Sequence, residues 1–506
     1  VDWIGQVPWA ETLVRPGGSR SVTAPELASE TDQVEGQIPI YVDLDGTLIA
    51  TDLLWESLFE LIRRDPLAAL ALPLWLSRGK AELKQQIARR VELDVEGLPY
   101  RAEVLDYLRQ CRLAGRPVIL ATASDVRLAR AVAEHVGLFD DVIATQDGIN
   151  RKGRAKLDAI HDHCGRGAFD YLGDSRADLP LWAAARRALV AGPKRRLVDA
   201  VRQAGKQAEI VASPPPGLKP WLQAMRLHQW AKNVLIFVPL VTAHVIAQPS
   251  YLIPALLAFA AFSLMASAVY ILNDLLDLRA DRRHVQKRFR PFASGQLGIP
   301  QGLALMAGLL AASSALAAFL PWKFGVLLLA YAILTTAYSA ILKQKLMVDV
   351  LCLAALYTLR ILAGGAAVDV SISPWLMAFS MFFFLSLAFA KRYIELDARS
   401  DESGRVAGRG YLASDIELVR SVGPTSGYLA TLVLCLYINS NEVRSLYQRP
   451  WIIWLIAPLL LYWITRLWFL AQRRELPHDP VLFALRDRHS YLIGLMVGVL
   501  LVVATF

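Results

Sequence analysis

Asn273-Asp274-Leu275-Leu276-Asp277-Leu278-Arg279-Ala280-Asp281-Arg282-Arg283-His284 closes an apolar segment and opens a basic one that contains Lys287, Arg288, Arg290 and Pro291. Asp274, Asp277 and Asp281 stand at i, i+3 and i+7, so a helix continuing out of the apolar segment puts all three carboxylates on one face. Carboxylates so spaced outline a hard-cation site, holding one or two Mg²⁺ that keep several waters and share their remaining positions with substrate phosphates. The plainer reading is an Asp/Arg-rich loop at a membrane edge whose charges only pair with one another. Position favours the first reading, because ionisable residues at the mouth of a span are rare unless they serve a pathway or a site.

The surrounding composition makes that mouth a membrane edge. Of 506 residues, 55% are hydrophobic, which is more chain than one ordinary domain and more apolar than a soluble one. The apolar excess begins near residue 222, after which nine blocks have the roughly 20-residue length that a hydrocarbon core requires. They fall at 226–246, 252–275, 301–320, 323–342, 347–366, 373–391, 425–440, 451–471 and 488–506. The loops at 276–300, 343–346, 391–424 and 472–487 carry nearly all the Lys and Arg, against a few such as Lys323, Arg444 and Arg449 in the opposite loops. By the positive-inside rule the acidic cluster then faces the cytoplasm, with the soluble part on the same side of an inner (cytoplasmic) membrane. The net charge of +9 is accounted for by these loops, so no nucleic-acid partner is expected.

The first 215 or so residues read differently, as a soluble α/β protein. Cys111, Cys164, Cys352 and Cys435 are scattered without a C-x-x-C, which excludes a disulfide framework or a zinc site and fits a reducing compartment. Residues 1–37 lack a signal peptide's apolar core and read as a flexible tail. Ile38-Pro39-Ile40-Tyr41-Val42 is a short β-prone run ending at Asp43-Leu44-Asp45-Gly46-Thr47-Leu48. Just past a strand's carboxyl end, Asp43 and Asp45 project into the crevice where open α/β sheets bind ligands. One aspartate can attack phosphorus while the other, two residues on and pointing the same way, protonates the leaving oxygen.

In these residues the chain resembles the haloacid dehalogenase superfamily of aspartate-nucleophile phosphatases over residues 38–212. The resemblance implies a Rossmann-like α/β fold and assigns further roles. Thr122, closing Val118-Ile119-Leu120-Ala121-Thr122, would hold a phosphoryl oxygen; Lys152 would neutralise nucleophile and phosphate, with Lys156 as the rival. Asp174 and Asp178 in Gly173-Asp174-Ser175-Arg176-Ala177-Asp178 would complete a Mg²⁺ site with Asp43 and the Asp45 backbone. Helices expected over 51–113 would form a small cap that restricts bulk water. His161 and His163 read as helix-surface residues rather than ligands.

Ser213-Pro214-Pro215-Pro216-Gly217 marks a linker over 213–221, short and semi-rigid enough to keep two sites near one another. Residues 222–506 resemble the UbiA superfamily of intramembrane prenyltransferases, all-α bundles with an aspartate-rich Mg²⁺ site, and within it the polyprenyl-phosphate phosphoribosyltransferases. The segments that carry this are Arg226-Leu-His-Gln-Trp-Ala-Lys-Asn233, the stretch from Asn273 to His284, Lys287-Arg-Phe-Arg-Pro291, Tyr338-Ser339 and Leu359-Arg-Ile-Leu-Ala-Gly-Gly365. Generic members carry a second D-x-x-x-D pair early in the fifth span, where this chain has Asp349 and then Leu353.

Charge supports the same branch. Phosphoribosyl diphosphate carries about five negative charges and a polyprenyl phosphate up to two more, a load that Lys232, His284, Lys287, Arg288, Arg290, Lys343, Arg360 and Lys391 can match. Gln229, Asn233, Asn273, Tyr338 and Asp349 are the expected polar contacts, and Asp274, Asp277 and Asp281 the metal-bearing catalytic set. Arg360, well inside a span, is a site candidate by position, against the alternative of an internal ion pair that locks the bundle. The expected protein is thus a bifunctional membrane enzyme with Mg²⁺ in both domains. It makes a lipid-linked phosphoribose and removes its 5-phosphate, and homo-oligomers are compatible with it. The rivals are an aromatic prenyltransferase using a prenyl diphosphate, and a soluble domain that only docks or regulates.

Overall fold

The computed structural model describes residues 38–505, apart from 66, 147, 166–167, 193–194, 213–216, 399–409, 441–442, 444–445 and 478. The expected N-terminal tail, the Ser213 to Pro216 break, Gly408 and Arg409 lie outside the described residues.

Ile40-Tyr41-Val42 is the centre of a six-stranded parallel sheet because all three side chains are fully buried, as a strand covered on both faces requires. The strands β1 (Ile40–Val42), β2 (Val118–Asp125), β3 (Asp141–Thr145), β4 (Asp170–Gly173), β5 (Ala188–Val190) and β6 (Ala208–Ile210) run in the order β3-β2-β1-β4-β5-β6. Ile40 pairs with Val118 on one side and with Asp170 on the other. The chain therefore reverses its progress across the sheet at β1, which opens a crevice at the carboxyl ends of β1, β2 and β4.

The alternation of side chains fixes the two layers. Ile40 and Val42 face a core shared with Val118 and Leu120, whereas Tyr41 and Ile119 face a second core with Tyr171 and Trp182. Among the described residues this half has eight α-helices: α1 (Leu53–Arg64), α2 (Leu72–Ser77), α3 (Lys80–Ala88), α4 (Ala102–Leu113), α5 (Val126–Val136), α6 (Arg154–Cys164), α7 (Leu179–Ala184) and α8 (Arg195–Gln203). The cap has a small core of its own, Leu61, Trp75, Ile87 and Val91. Helix α4, expected in the cap, instead packs Val104, Leu108 and Cys111 on the sheet, so the cap is shorter than 51–113.

After α9 (Lys219–Met225), the first expected span is not one α-helix. A 3-10 helix over Leu227–Phe237 leads into a short α10 (Val238–Thr242), Arg226 having turned the chain with a left-handed backbone and Pro239 lacking the N–H that would continue the ladder. At about 2.0 Å per 3-10 residue and 1.5 Å per α residue, the segment still reaches roughly 30 Å if straight. The other eight spans are helices long and apolar enough to cross a membrane. They include α11 (Pro249–Leu276), α13 (Ile299–Ala317), α14 (Trp322–Ala340), α15 (Val348–Ala367) and α16 (Pro374–Asp397), with α12 (Leu278–Arg283) between the first two. The remainder are α17 (Ile416–Ile438), α18 (Ile456–Gln472) and α20 (Arg488–Thr505), preceded by the short α19 (Pro480–Ala484). Helix α17 starts before the expected 425 and runs through Pro424.

The halves touch. Trp55 and Phe59 of α1 pack against Ile271, Leu275, Leu278, Phe292, Leu297 and Ile299 of the membrane half. Helix α1 is amphipathic, and its apolar stripe is divided between the cap core and this contact.

Candidate active sites

At the crevice, Asp43 Oδ1 accepts hydrogen bonds from the Leu44 amide and from Lys156 Nζ, both at 2.9 Å. Asp178 accepts from Tyr171 Oη at 2.9 Å and from Ser175 N and Oγ at 3.1 and 2.9 Å. Asp174 accepts from Thr47 Oγ1 at 3.5 Å. One oxygen from each of Asp43, Asp174 and Asp178 lies within 4.8 Å of the others. Gly46, with φ at +80°, lets the chain pass, because a Cβ there would meet Asp174 Oδ2 at 2.2 Å.

Burial sets the protonation of these acids. It pushes Asp43 up to about 6 against the pull of Lys156, and Asp174 up to about 8 with Asp43 and Asp178 adding repulsion. Three converging carboxylates form an oxygen donor set that suits a hard divalent cation, whose charge would relieve that repulsion. Asp45 is held differently: its carboxylate accepts from Leu53 N at 2.7 Å and Ser124 Oγ at 2.5 Å, and burial raises it to about 7. A carboxyl that keeps its proton near neutrality beside one that loses it is a division into acid and nucleophile.

Two expectations change here. The lysine that meets Asp43 is Lys156, not Lys152, which only lines the cleft. Lys156 lies in the first turn of α6, where side chains lean back toward the helix start and hence toward the sheet's carboxyl edge. The hydroxyl at the cleft is Ser124, not Thr122; Thr122 is fully buried one pleat earlier and accepts the Ser124 amide at 3.0 Å. Sequence reasoning missed Lys84, which donates to Ala123 O at 2.5 Å and Asn150 Oδ1 at 3.2 Å, and Arg101, whose Nε donates to Gly46 O at 3.1 Å. Neither sits in a recognisable motif. His163 bonds Tyr41 and Asp141 at the surface, whereas His161 is half-buried.

In the membrane half the helix does not run through the acidic stretch. Helix α11 ends at Leu276 and α12 begins at Leu278, with Asp277 between them at φ −94° and ψ 8°. Asp274 and Asp281 are buried and converge on Arg290, at 3.1 and 2.6 Å from its Nη1, while Arg226 Nη2 reaches Asp274 at 2.5 Å. Burial raises Asp281, and Arg290 opposes the rise. Asp277 is turned away, half exposed, with Lys343 Nζ at 3.8 Å. The expected trio is therefore a pair plus an outlier, because the kink at Asp277 breaks the i, i+3 relation. Asn273 Oδ1 is buried without a hydrogen-bond partner among the described residues. Carboxylate and amide oxygens are hard donors of the kind Mg²⁺ takes.

Arg360 is 5% exposed and has no carboxylate within ion-pair distance among the described residues. Its Nε donates to Asn233 Oδ1 at 2.9 Å, Nη1 to Leu356 O at 2.5 Å and Nη2 to Tyr331 Oη at 3.2 Å. The guanidinium lies 4.9 to 5.5 Å from the ring centroids of Tyr331, Tyr357 and Phe262. These contacts orient the charge without cancelling it, which removes the reading of Arg360 as half of an internal ion pair. Asn233 in turn bonds Ser263 at 2.9 Å.

Lys232, above the Tyr357 ring, pairs with Asp479. Burial would raise Asp479, but Lys232 and Lys391 outweigh it and hold the carboxylate low. Gln229 and Tyr338 are half-buried on elements bordering this region. Asp349 leaves the expected contact set: Arg392 Nη2 meets it at 2.8 Å and Tyr411 Oη donates at 2.8 Å, all deep in the fold. His284, Lys287 and Arg288 are exposed on the loop after α12, and Arg288 lines the phosphatase-like cleft rather than the Asp274/Asp281 pair.

Residues 236–492 match the UbiA prenyltransferase family and residues 40–183 the haloacid dehalogenase-like hydrolases. The uncharacterized protein y4nM of Sinorhizobium fredii is 38% identical over 482 residues, 94% of this chain and 92% of that protein. The decaprenyl-phosphate phosphoribosyltransferase of Mycobacterium tuberculosis is 31% identical over 57% of this chain and 95% of its own length. The mitochondrial 4-hydroxybenzoate polyprenyltransferase of Caenorhabditis elegans is 35% identical over 23% of this chain and 33% of its own.

Proposed function

The chain belongs to the UbiA prenyltransferase family and carries a haloacid dehalogenase-like hydrolase domain at its N-terminal side, and from that premise we propose a two-step enzyme of lipid-linked sugar synthesis. The membrane half transfers phosphoribose from phosphoribosyl diphosphate to a polyprenyl phosphate, and the soluble half removes the ribose 5-phosphate. The observation that carries the first step is Arg360, a buried cation without a carboxylate partner among the described residues, close to Lys232 and Asn233. Such a charge calls for an anion inside the bilayer, and a lipid phosphate supplies one. Near-complete coverage of a decaprenyl-phosphate phosphoribosyltransferase supports the same substrate class. Asp349, tied to Arg392 and Tyr411, is not available to bind a second diphosphate-bearing metal, which weighs against the aromatic prenyltransferase.

In the transfer, an oxygen of the lipid phosphate attacks the anomeric carbon, the bond to diphosphate breaks, and a phosphodiester forms. Asp274, Asp281 and Asn273 would hold Mg²⁺, which neutralises the leaving diphosphate. Arg226, Arg290 and Lys343 are positioned to exchange their carboxylate partners for phosphate oxygens. In the soluble half Asp43 attacks the 5-phosphate and Asp45 gives its proton to the departing ribose oxygen. Water then cleaves the aspartyl phosphate as Asp45 takes a proton back. Asp43, Asp174 and Asp178 would hold the second Mg²⁺, which offsets repulsion between nucleophile and phosphate. Lys156 fixes Asp43, and Ser124 orients Asp45. We place the protein in the cytoplasmic membrane with this domain in the cytoplasm, on the loop-charge asymmetry.

Full-length protein in lipid nanodiscs, given labelled phosphoribosyl diphosphate and polyprenyl phosphate, should yield lipid-linked ribose. Asp43→Asn should accumulate lipid-linked phosphoribose, and Asp274→Asn should give no labelled lipid. Lipid labelling by Asp274→Asn, or turnover of a prenyl diphosphate with a hydroxybenzoate instead, overturns the transfer step. Identical products from wild type and Asp43→Asn overturn the second.

A further inference from the structure

The cleft above Asp43, of about 1530 Å³, is not walled by the soluble domain alone. The membrane half also lines it: Arg282 at the end of α12, Arg288, Phe289, Ser294 and Gln296 on the loop that follows, and Gln301 at the start of α13 share its wall with Asp43, Lys156 and Asp174. That loop joins two spans, α11 and α13, so it lies at the membrane surface.

The wall is fixed in place. Arg282 donates to both Glu56 oxygens of α1 at 2.6 and 3.0 Å, with both side chains under 10% exposed. Arg283 meets Asp94 at 2.7 Å, and Arg279 reaches Glu60 at 3.3 Å and Asp94 at 3.4 Å. Gly295, at φ +73°, comes so close to the cap that a Cβ there would lie 2.6 Å from Ala50 Cβ. The Arg282–Glu56 pair, bidentate and desolvated, holds geometry as well as charge. The same loop also reaches the other site: two residues beyond Arg288, Arg290 holds Asp274 and Asp281 together.

On the wall, Arg288 stacks 4.9 Å over Phe289 and has no carboxylate partner among the described residues. Its guanidinium is the group there best able to bind a second anion, once Asp43 and Lys156 engage the first. We infer that the phosphatase cleft is a composite site for a substrate bearing two phosphates, a terminal monoester cleaved at Asp43 and an internal diester gripped by Arg288 on the membrane-half wall. This rests on the reading of the soluble half as a phosphatase. The diester could belong to a lipid or to a soluble molecule, and the wall's place between two spans favours the lipid.

Three substrates separate these elements: polyprenylphosphoryl 5-phosphoribose, its methylphosphoryl analogue, which keeps the diester without the lipid, and ribose 5-phosphate, which has neither. Full-length protein in nanodiscs should prefer the first two, and Arg288→Ala should lower the kcat/KM ratio of either one to ribose 5-phosphate by about tenfold. Arg288→Lys should restore part of it. A second variant, Arg282→Ala, should lower the preference for the lipid form over the methyl form. An Arg288→Ala ratio unchanged from wild type overturns the composite site. Equal wild-type rates on the lipid and methyl forms overturn the lipid assignment. If wild type hydrolyses none of the three, the phosphatase reading itself fails and takes this inference with it.

Discussion

Replacing Lys156 by Met tests the chemistry at the crevice most directly. Lys156 Nζ lies 2.9 Å from Asp43, 3.6 Å from Asp178 and 3.0 Å from Tyr171 Oη, and the side chain is nearly inaccessible to water. Methionine keeps the length and removes the charge, leaving two buried carboxylates uncompensated. Breaking a buried pair on one side costs roughly 3–5 kcal/mol, a large fraction of the ~5–15 kcal/mol that holds a domain folded. For phosphoryl transfer the same lysine is a preorganised cation beside the developing charge, and losing such a group lowers kcat by about 10²–10³. Hydrolysis of a generic phosphate ester by full-length protein should therefore fall by that factor in Lys156→Met, with a lower melting temperature. Lys152→Ala lines the cleft without touching the acids and should lose only severalfold, on the order of 1 kcal/mol. The reasoning is refuted if Lys156→Met stays folded and retains activity within about threefold of wild type, or if Lys152→Ala loses as much.

Hydrolysis should fall on the alkaline side near 7, where Asp45 must keep its proton, while bound Mg²⁺ holds Asp43 ionised to well below 6. Asp45→Asn, assayed on an ester with a good leaving group, should lose the alkaline limb; a limb that persists assigns it elsewhere. Because Asp43 and Asp174 are raised on folding, the folded state holds protons that the unfolded chain gives up, so their contribution to stability falls as pH rises from about 4 toward 8. Mg²⁺ should offset that loss, and chelation should lower the melting temperature more at pH 8 than at pH 6. In the membrane half, Arg360→Met leaves no carboxylate bare, so the fold should hold while KM for polyprenyl phosphate rises roughly 10- to 100-fold, the worth of a charged hydrogen bond of about 1.5–3 kcal/mol. A drop in melting temperature with KM unchanged would make Arg360 structural.

The phosphatase half was legible because its signals are local. Asp43 and Asp45 follow a short apolar strand, and Asp174 and Asp178 follow another, so each pair is placed by its own neighbours. Lys152 and Lys156, four residues apart, could not be told apart until the start of α6 was known, since that start sets which lysine leans back over the sheet. In the membrane half, apolar run length gave nine spans, eight of which are single long helices, but not the 3-10 geometry of Leu227–Phe237 in the first, which composition does not encode. The kink at Asp277 was hidden for a related reason: every residue from Leu275 to Ala280 tolerates a helix, and the break comes from packing. Least visible were the long-range pairs. Lys232 meets Asp479 across 247 residues and Arg282 meets Glu56 across 226, and one sequence without relatives carries no trace of such partnerships.

The acidic stretch itself settles between its two first readings. Were Asp274 to Arg283 a self-paired loop, its arginines would neutralise its aspartates. Instead the charges are segregated. Asp274 and Asp281 are buried in the membrane half, while Arg279, Arg282 and Arg283 reach the cap. Each side then finds its counter-charge elsewhere, the acids in Arg226 and Arg290, the arginines in Glu56, Glu60 and Asp94 of the cap. Segregation of this kind leaves the inward carboxylates free to exchange guanidinium for metal and phosphate without loosening the cap, because no arginine that holds the cap also holds an acid of the membrane site. The outward arginines can in turn fix the soluble domain at the membrane surface whatever occupies the interior. One short stretch thus serves two sites with different side chains, and Asp277, at the break between its helices, pairs with neither set but with Lys343.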